Sequence, residues 1–161
     1  SSVFHVGAHP PLMGLLMRPN TVERHSLENI KATGVFTLNH VAQPMIEQAH
    51  QTSARYPSGV SEFSATGLTP YLTSHQAPYV KESRLKIGLC VESIQVLGCN
   101  QTELVIGKIK EVLISDTRAI RDDGYVCPQT LNSVTVSGLD TYHSTQTLRT
   151  LPYAKPDGWP Q

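Results

Sequence analysis

The chain has 161 residues, enough for one domain with a sizeable hydrophobic core. Its 13 basic and 13 acidic side chains give a formal net charge of zero, which argues against a nucleic-acid-binding or anionic-membrane-binding protein. No apolar run is long enough to span a bilayer, and three irregularly spaced cysteines argue against a disulfide framework and predict a cytoplasmic location.

The first forty residues alternate between strand and helix signals. The opening SSVFHVG is typical of the interior of a strand, so we expect preceding N-terminal strands to be missing from this sequence. LMGLLMR, at 12–18, follows a Pro-Pro pair and predicts a buried strand. A short helix is predicted over 26–33, with Ser26 at its N-cap and Gly34 just beyond its end. VFTLN, at 35–39, predicts another strand.

The middle of the chain passes from helix to loop to long strands. A second helix is predicted over 43–54, and a Gly-, Pro- and Ser-rich loop with one short helical turn extends over 55–80. Two β-type runs at 85–97 and 103–115 are joined by GCNQT and predict a hairpin.

Strand patterns also set the predicted fold class. Strict alternation along the second long strand places Glu111 on the same face as Ile109. A last strand is predicted at 132–138, before a proline-rich tail. Because βαβ units do not dominate, we predict a mainly β fold with helices (α+β), an antiparallel barrel with helices packed outside, forming a single domain over 1–161.

Motifs for catalysis or metal binding are weak. The chain has no GxGxxG, Walker loop, GxSxG or HExxH. Glu47 and His50 form a single ExxH that is more typical of a solvated helix face, and His5 and His9 lie in a stretch unsuited to a helix. Asp122-Asp123-Gly124 lacks the later ligands of a calcium loop and predicts a turn. We therefore predict no metal site and name no catalytic residue.

The start of the first predicted helix is the best candidate binding site. A helix N-terminus presents unpaired N–H groups and the positive end of the dipole, which suit a phosphate. Arg18, Arg24 and His25 add positive charge there, and the Ser26 hydroxyl adds a donor. A serine at an N-cap needs no ligand to explain it, so capping and phosphate binding both stay open.

Several stretches, in the right order, resemble the flavin reductase-like family, whose members bind FMN in a split barrel. The resemblance is strongest to flavoredoxin-type members and runs from the first residue to about Tyr142. It implies an antiparallel split β-barrel of the FMN-binding type. The stretches that carry it are PPLMGLLMRP, HSLENIKATGVFTLN, SEFSATGLTP with APYVKES, ELVIGKIKEVLISD and GLDTYHS.

The resemblance also implies where FMN would bind. Asn39 would have a structural role at the end of its strand. Family members are homodimers with flavin near the subunit interface, so the loop at 55–80 is expected to cover the partner's cofactor. The residues implied to hold the FMN phosphate are Arg18, Arg24, His25 and Ser26. Those implied to contact the isoalloxazine ring are Ser1, Ser2, Val3 and Phe4.

The implied function is that of an FMN-binding oxidoreductase of the flavin reductase or flavoredoxin type, with NAD(P)H or a redox protein as electron donor. The flavin would carry the chemistry, which fits the lack of a catalytic motif. A non-catalytic flavin- or haem-binding split-barrel module is one alternative, and bound flavin that neither nicotinamide reduces would favour it. A structural domain that acts by dimerisation is another, and a dimer without ligand uptake would favour that.

Overall fold

The computed structural model describes residues 2–19 and 25–158, in which β structure predominates. The strands in chain order are β1 Ser2–Ala8, β2 Pro11–Met17, β3 Val35–Asn39, β4 Pro70–Tyr71, β5 Tyr79–Val80, β6 Leu85–Val96, β7 Glu103–Ile114, β8 Val134–Ser137 and β9 Thr141–Ser144. The α-helices are α1 His25–Thr33, α2 Ile46–Gln51 and α3 Glu62–Thr66, and 3₁₀ turns lie at Gln43–Met45, Thr117–Ala119 and Pro156–Gly158.

Five strands form one antiparallel sheet in the order β1-β2-β7-β6-β3. β4 pairs with β5, and β8 pairs with β9, in two small separate sheets. Within the part of the chain that the structure describes, β1 and β3 are the two edges of the large sheet and do not pair with each other. This arrangement confirms the predicted mainly β, antiparallel fold, with a barrel that is split rather than closed.

A β-bulge in β7 makes the alternation prediction wrong. Gly88 is opposite Glu111, but the next residue, Leu89, is opposite Ile109, so Lys110 is an extra residue in β7. A bulge of this kind inserts one residue into one strand and shifts the side chains beyond it. Glu111 therefore shares a face with Gly88, on the opposite side of the sheet from Ile109.

The main core lies on the face of the sheet that α1 covers, which we call the inner face. Leu27 and Ile30, one turn apart on α1, are buried among Leu15, Phe36 and Val105. This i, i+3 spacing is the one expected of a helix with a single apolar stripe. Leu27 is fully buried, which is worth about 2 kcal/mol relative to exposure.

One ion pair attaches α1 to the start of β7. Lys31 Nζ lies 2.9 Å from Glu103 Oε2, and the side chain of Glu103 is only 10% exposed. This carboxylate, followed by the charge of Glu28, raises the pKa of Lys31 against the opposing effect of burial. The pair holds the second half of the helix at the sheet end where β2 finishes, because Met17 is opposite Glu103.

The opposite, outer face of β3 and β6 is covered by residues 69–83, a segment that contains β4 and β5 and that we call the strap. A smaller apolar cluster of Ala42, Met45 and Leu68 lies beside it. Part of the predicted long loop is therefore packed on its own sheet. The predicted short helical turn in that loop is present as α3.

Two elements differ from the sequence predictions. The helix expected over 43–54 is a 3₁₀ turn followed by the shorter α2, which begins at Ile46. The strand expected at 132–138 is present as β8, but its hairpin partner β9 was missed. Gly138 has a φ of +63° in the turn between them, a left-handed conformation that glycine adopts without steric cost.

Candidate functional site

The start of β1 lies at the sheet end where β2 finishes. Ser2 is opposite Leu16 in the register of the two strands, and Arg18 follows Leu16 two residues later. Ser2, Val3, Phe4 and Arg18 are all exposed. The register thus brings four of the predicted site residues to one end of the sheet.

β1 offers main-chain groups as well as side chains. Within the described ranges β1 is an edge strand, so the side of its backbone away from β2 has no strand partner. Unpaired N–H and C=O groups on such an edge are available to a ligand or to another strand. The edge around Ser2, Val3 and Phe4 is therefore suited to the polar rim of a planar heterocycle.

The ring of Phe4 lies on the outer face of the sheet. It lies directly over Gly14, where a Cβ atom would come within 2.7 Å of Phe4 Cε2 and closer still to Cζ. Glycine at this point of β2 leaves room for the ring in this position. Phe4 is 40% exposed, so one side of the ring remains accessible.

The start of α1 presents the second group of predicted residues. α1 begins at His25, so Ser26 is the second helical residue rather than the N-cap that the sequence predicted. In this position its main-chain N–H is one of the four without an intrahelical acceptor. Among the described residues the Ser26 hydroxyl has no hydrogen-bond partner, and the side chain is exposed, whereas His25 is half-buried.

Other charges bear on an anion at this helix start. Glu28 lies in the first turn of α1, where a carboxylate favours the helix but opposes a bound phosphate. Arg18 is exposed and has no ion-pair partner among the residues that the structure describes. Ser1 and Arg24, which were also predicted to contact the cofactor, lie outside the described residues.

Half-buried apolar side chains lie next to Phe4 on the outer face. Gly14 beneath Phe4 is opposite Ile106, and Leu16 is opposite Leu104 in the next strand. These side chains belong to neither apolar core cluster. We call this surface the outer strip, and its members are Phe4, Leu12, Leu16, Leu104 and Ile106.

The strap encloses a polar cluster that the sequence did not predict. Tyr79 is fully buried, and its hydroxyl donates to Glu111 Oε1 at 2.6 Å. The Thr73 hydroxyl donates to the same oxygen at 3.0 Å. Gly88 lies beneath the pair, and a Cβ atom there would overlap the hydroxyl oxygen of Tyr79.

These contacts change the acidity of both partners. The hydrogen bond from Tyr79, with help from Thr73, holds the pKa of Glu111 below its usual value despite partial burial. Burial, followed by the bond to Glu111, raises the pKa of Tyr79 well above its usual range. Tyr79 therefore stays protonated, and Glu111 ionised, across physiological pH.

Asn39 has the structural role that was predicted for it. Its amide nitrogen donates to the Thr37 hydroxyl at 3.0 Å, and its amide oxygen accepts from the main-chain N–H of Val80 at 3.0 Å. The Thr37 hydroxyl in turn donates to the carbonyl of Pro78 at 2.8 Å. This chain of bonds attaches β5 to the edge strand β3.

The weaker constellations show no metal-binding geometry. The part of the chain that the structure describes has no group of three His, Cys, Asp or Glu side chains that could hold a metal ion. His50 Nδ1 instead lies 3.1 Å from the Tyr142 hydroxyl. Asp123 accepts from the main-chain N–H of Tyr125 at 3.0 Å and pairs with Arg121, in the turn predicted there.

The three cysteines, Cys90, Cys99 and Cys127, are free thiols. The Thr130 side chain and main chain hold the pKa of Cys127 below its usual value. The helices described are all too short or too polar to cross a membrane.

The chain matches a known protein family and is similar to solved structures. The model of the "flavin reductase like domain" family matches residues 1–127. A structure from Shewanella frigidimarina NCIMB 400, described as a flavin reductase with a split barrel domain, has 52% sequence identity and a TM-score of 0.90. That similarity covers 96% of this chain and 76% of the other.

More distant structures share the fold. The nitrilotriacetate monooxygenase component B of Bacillus cereus is 21% identical with a TM-score of 0.80, over 92% of this chain and 76% of that one. The flavoredoxin of Desulfovibrio vulgaris (Miyazaki F) is 22% identical with a TM-score of 0.78, over 94% and 79%. Comparison with curated proteins gave no match.

Proposed function

Because the chain belongs to the flavin reductase-like domain family, a family of flavin-linked oxidoreductases, we propose that it binds FMN and transfers electrons from NAD(P)H or a protein donor. The observation that carries this proposal is the convergence of the β1 edge and Arg18 at one sheet end. This arrangement supplies main-chain hydrogen-bonding groups for the polar rim of a flavin ring and a positive charge for its phosphate.

The phosphate would be held at the start of α1. The free hydroxyl of Ser26 and the first main-chain N–H groups of the helix supply donors, and Arg18 and His25 supply positive charge. Arg24 is proposed to add to this charge. The residues described fit a phosphate, since the hydroxyl and the guanidinium have no other partner in the described ranges.

The isoalloxazine ring would lie against the start of β1. The backbone edge of Ser2, Val3 and Phe4, which has no strand partner in the described ranges, would bond the polar rim of the ring together with Ser1. Phe4, which lies over Gly14, would limit where the isoalloxazine ring can lie. When bound, FMN supplies the hydride and electron transfer, and the protein binds and orients it.

We also propose a homodimer in the cytoplasm. The outer strip leaves several large apolar side chains partly exposed next to the proposed flavin site, as expected of a surface that a second subunit covers. Three free thiols are typical of a reducing compartment. Part of the 55–80 segment is bonded to its own sheet through the strap, which limits how far it could extend over a partner's cofactor.

The decisive experiment compares FMN with riboflavin, which lacks the phosphate. Flavin fluorescence quenching would measure both affinities for the wild type, Ser26→Ala and Arg18→Ala. We expect each variant to weaken FMN binding by at least about tenfold, since hydrogen bonds to a charged group are worth about 1.5–3 kcal/mol. Riboflavin affinity should stay unchanged.

Matched controls are Ser144→Ala and Lys110→Ala, which alter exposed side chains outside the predicted FMN residues and outside the 55–80 segment. Equal losses for FMN and riboflavin, or no uptake of FMN by the wild type, would overturn the phosphate assignment. Bleaching of the bound flavin by NADH or NADPH would then test the oxidoreductase activity. Bound flavin that no donor reduces would indicate a non-catalytic flavin-binding module instead.

A further inference from the structure

The last described residues form an apolar arm with little contact to the rest of the chain. Leu148, Leu151 and Tyr153 are 87%, 75% and 91% exposed. Large apolar side chains grouped in this way are rare on a monomer and mark contact surfaces. We call residues 148–158 the C-terminal arm.

The base of the arm is held to the body of the protein. The Thr145 hydroxyl donates to the carbonyl of Ser133 at 3.1 Å. The main-chain N–H of Thr147 donates to Gln129 Oε1 at 3.1 Å. The arm therefore leaves the body after Arg149, since Leu148 and Arg149 still line a cavity with Tyr125 and Pro128.

The outer strip is an apolar surface of the same chain that remains partly exposed within the described ranges. In the register of β2 and β7, Leu16 is opposite Leu104. Gly14, which lies beneath Phe4, is opposite Ile106. The strip spans three neighbouring strands, or about 10 Å at the usual strand spacing. The eight residues 148–155, which precede the 3₁₀ turn at Pro156–Gly158, would reach about 26 Å if extended, which is ample to cross it.

We infer that the C-terminal arm of one copy of the chain covers the outer strip of a second copy, in a symmetric dimer. In a two-fold dimer each contact occurs twice, so both arms and both strips are covered at once. The inference rests on the homodimer proposed above. Because Phe4 belongs to the strip and to the proposed isoalloxazine group, the partner's arm would border the flavin.

The buried area agrees with a stable dimer. A buried tyrosine removes about 200 Å² from water and a buried leucine about 100 Å², so each arm would bury about 400 Å². Two arms would bury about 800 Å², and the partly exposed side chains of the two strips bring the total toward the 1,200–2,000 Å² of a specific protein–protein interface.

Sedimentation equilibrium would test the role of the arm. The triple variant Leu148→Ser, Leu151→Ser, Tyr153→Ser should weaken dimerisation by at least about a hundredfold, because apolar burial is lost on both arms. The matched control, Arg149→Ala, Thr150→Ala, Lys155→Ala, changes only polar side chains on the same arm and should dimerise as the wild type does. Equal dimerisation constants for the two triple variants would overturn the inference.

Photo-crosslinking would identify the surface that receives the arm. p-Benzoylphenylalanine at position 153, in an equal mixture of ¹⁴N- and ¹⁵N-labelled chains, should give isotopically mixed crosslinks to peptides that contain Leu16 or Ile106. Crosslinks within one chain, or to another surface, would refute the exchange. FMN titration of the same samples separates the proposed FMN binding from the proposed arm exchange. A dimer held by its arms that takes up no flavin would overturn only the proposed function.

Discussion

Gly88→Ala should disrupt the packing of the strap on the sheet, because it adds a Cβ atom beneath Tyr79. The new Cβ would overlap the hydroxyl oxygen of Tyr79 and come within 3.1 Å of Glu111 Cγ and 3.3 Å of His75 Cδ2. The methylene of Glu111 and the ring of His75 can shift by a few tenths of an ångström. The Tyr79 hydroxyl cannot, because a shift large enough to relieve the overlap breaks its 2.6 Å bond to Glu111.

The magnitude follows from two effects. Overpacking costs about 1–3 kcal/mol, and the lost hydrogen bond to a half-exposed carboxylate adds about 1–2 kcal/mol. We expect Gly88→Ala to lower the free energy of unfolding by about 2–5 kcal/mol, a large part of the total for a domain of this size. Tyr79→Phe alone should cost about 1–2 kcal/mol, since it loses only the bond.

A double-mutant cycle separates this account from general disruption. Because Tyr79→Phe removes the overlapping oxygen, the double variant should be about as stable as Tyr79→Phe alone, when both are measured by urea unfolding. Gly98→Ala, at a site with nothing within 4 Å, is the control and should change stability by less than about 0.5 kcal/mol. Additive costs for Gly88→Ala and Tyr79→Phe would refute the proposed overlap.

Two further predictions concern charged groups. Folding lowers the pKa of Glu111, so its ionised form contributes stability that is present above the unfolded pKa and lost as pH falls. Between about pH 5 and pH 3, urea unfolding should therefore show a larger loss of stability for the wild type than for Tyr79→Phe. Equal losses for the two proteins would contradict this. Lys31→Met should lower the urea midpoint more than Lys110→Met, whose side chain is exposed, because it leaves the carboxylate of Glu103 buried without its ion-pair partner. Folding raises the pKa of Lys31, so that difference should be present at neutral pH and fade above about pH 11; identical midpoints for the two variants would contradict it.

Local patterns were enough to predict most of the sheet. The apolar run before Arg18, the β-rich VFTLN and the two long runs on either side of GCNQT became β2, β3, β6 and β7. These elements depend on periodicity, turn residues and β propensity, which can be read within a short window. The helix at 25–33 was equally legible because Leu27 and Ile30 form one apolar stripe.

The missed features depend on partners that are distant in sequence. Glu111 meets Tyr79 across 32 residues and Thr73 across 38. Nothing near Lys110 in the sequence indicates a bulge, since the extra residue is defined only against β6. The cofactor residues were placed by resemblance to a family, because a serine at a helix start has the same local pattern whether or not it meets a phosphate.

The extra residue in β7 is a spacer that strand pairing does not need. Removing Lys110 would restore strict pairing with β6 and leave Glu111 opposite Gly88, on the outer face beneath Tyr79. Removing Ile109 instead would bring the charged side chain of Lys110 opposite Leu89, among the packed apolar side chains of the core. A deletion at 110 should therefore be tolerated far better than a deletion at 109.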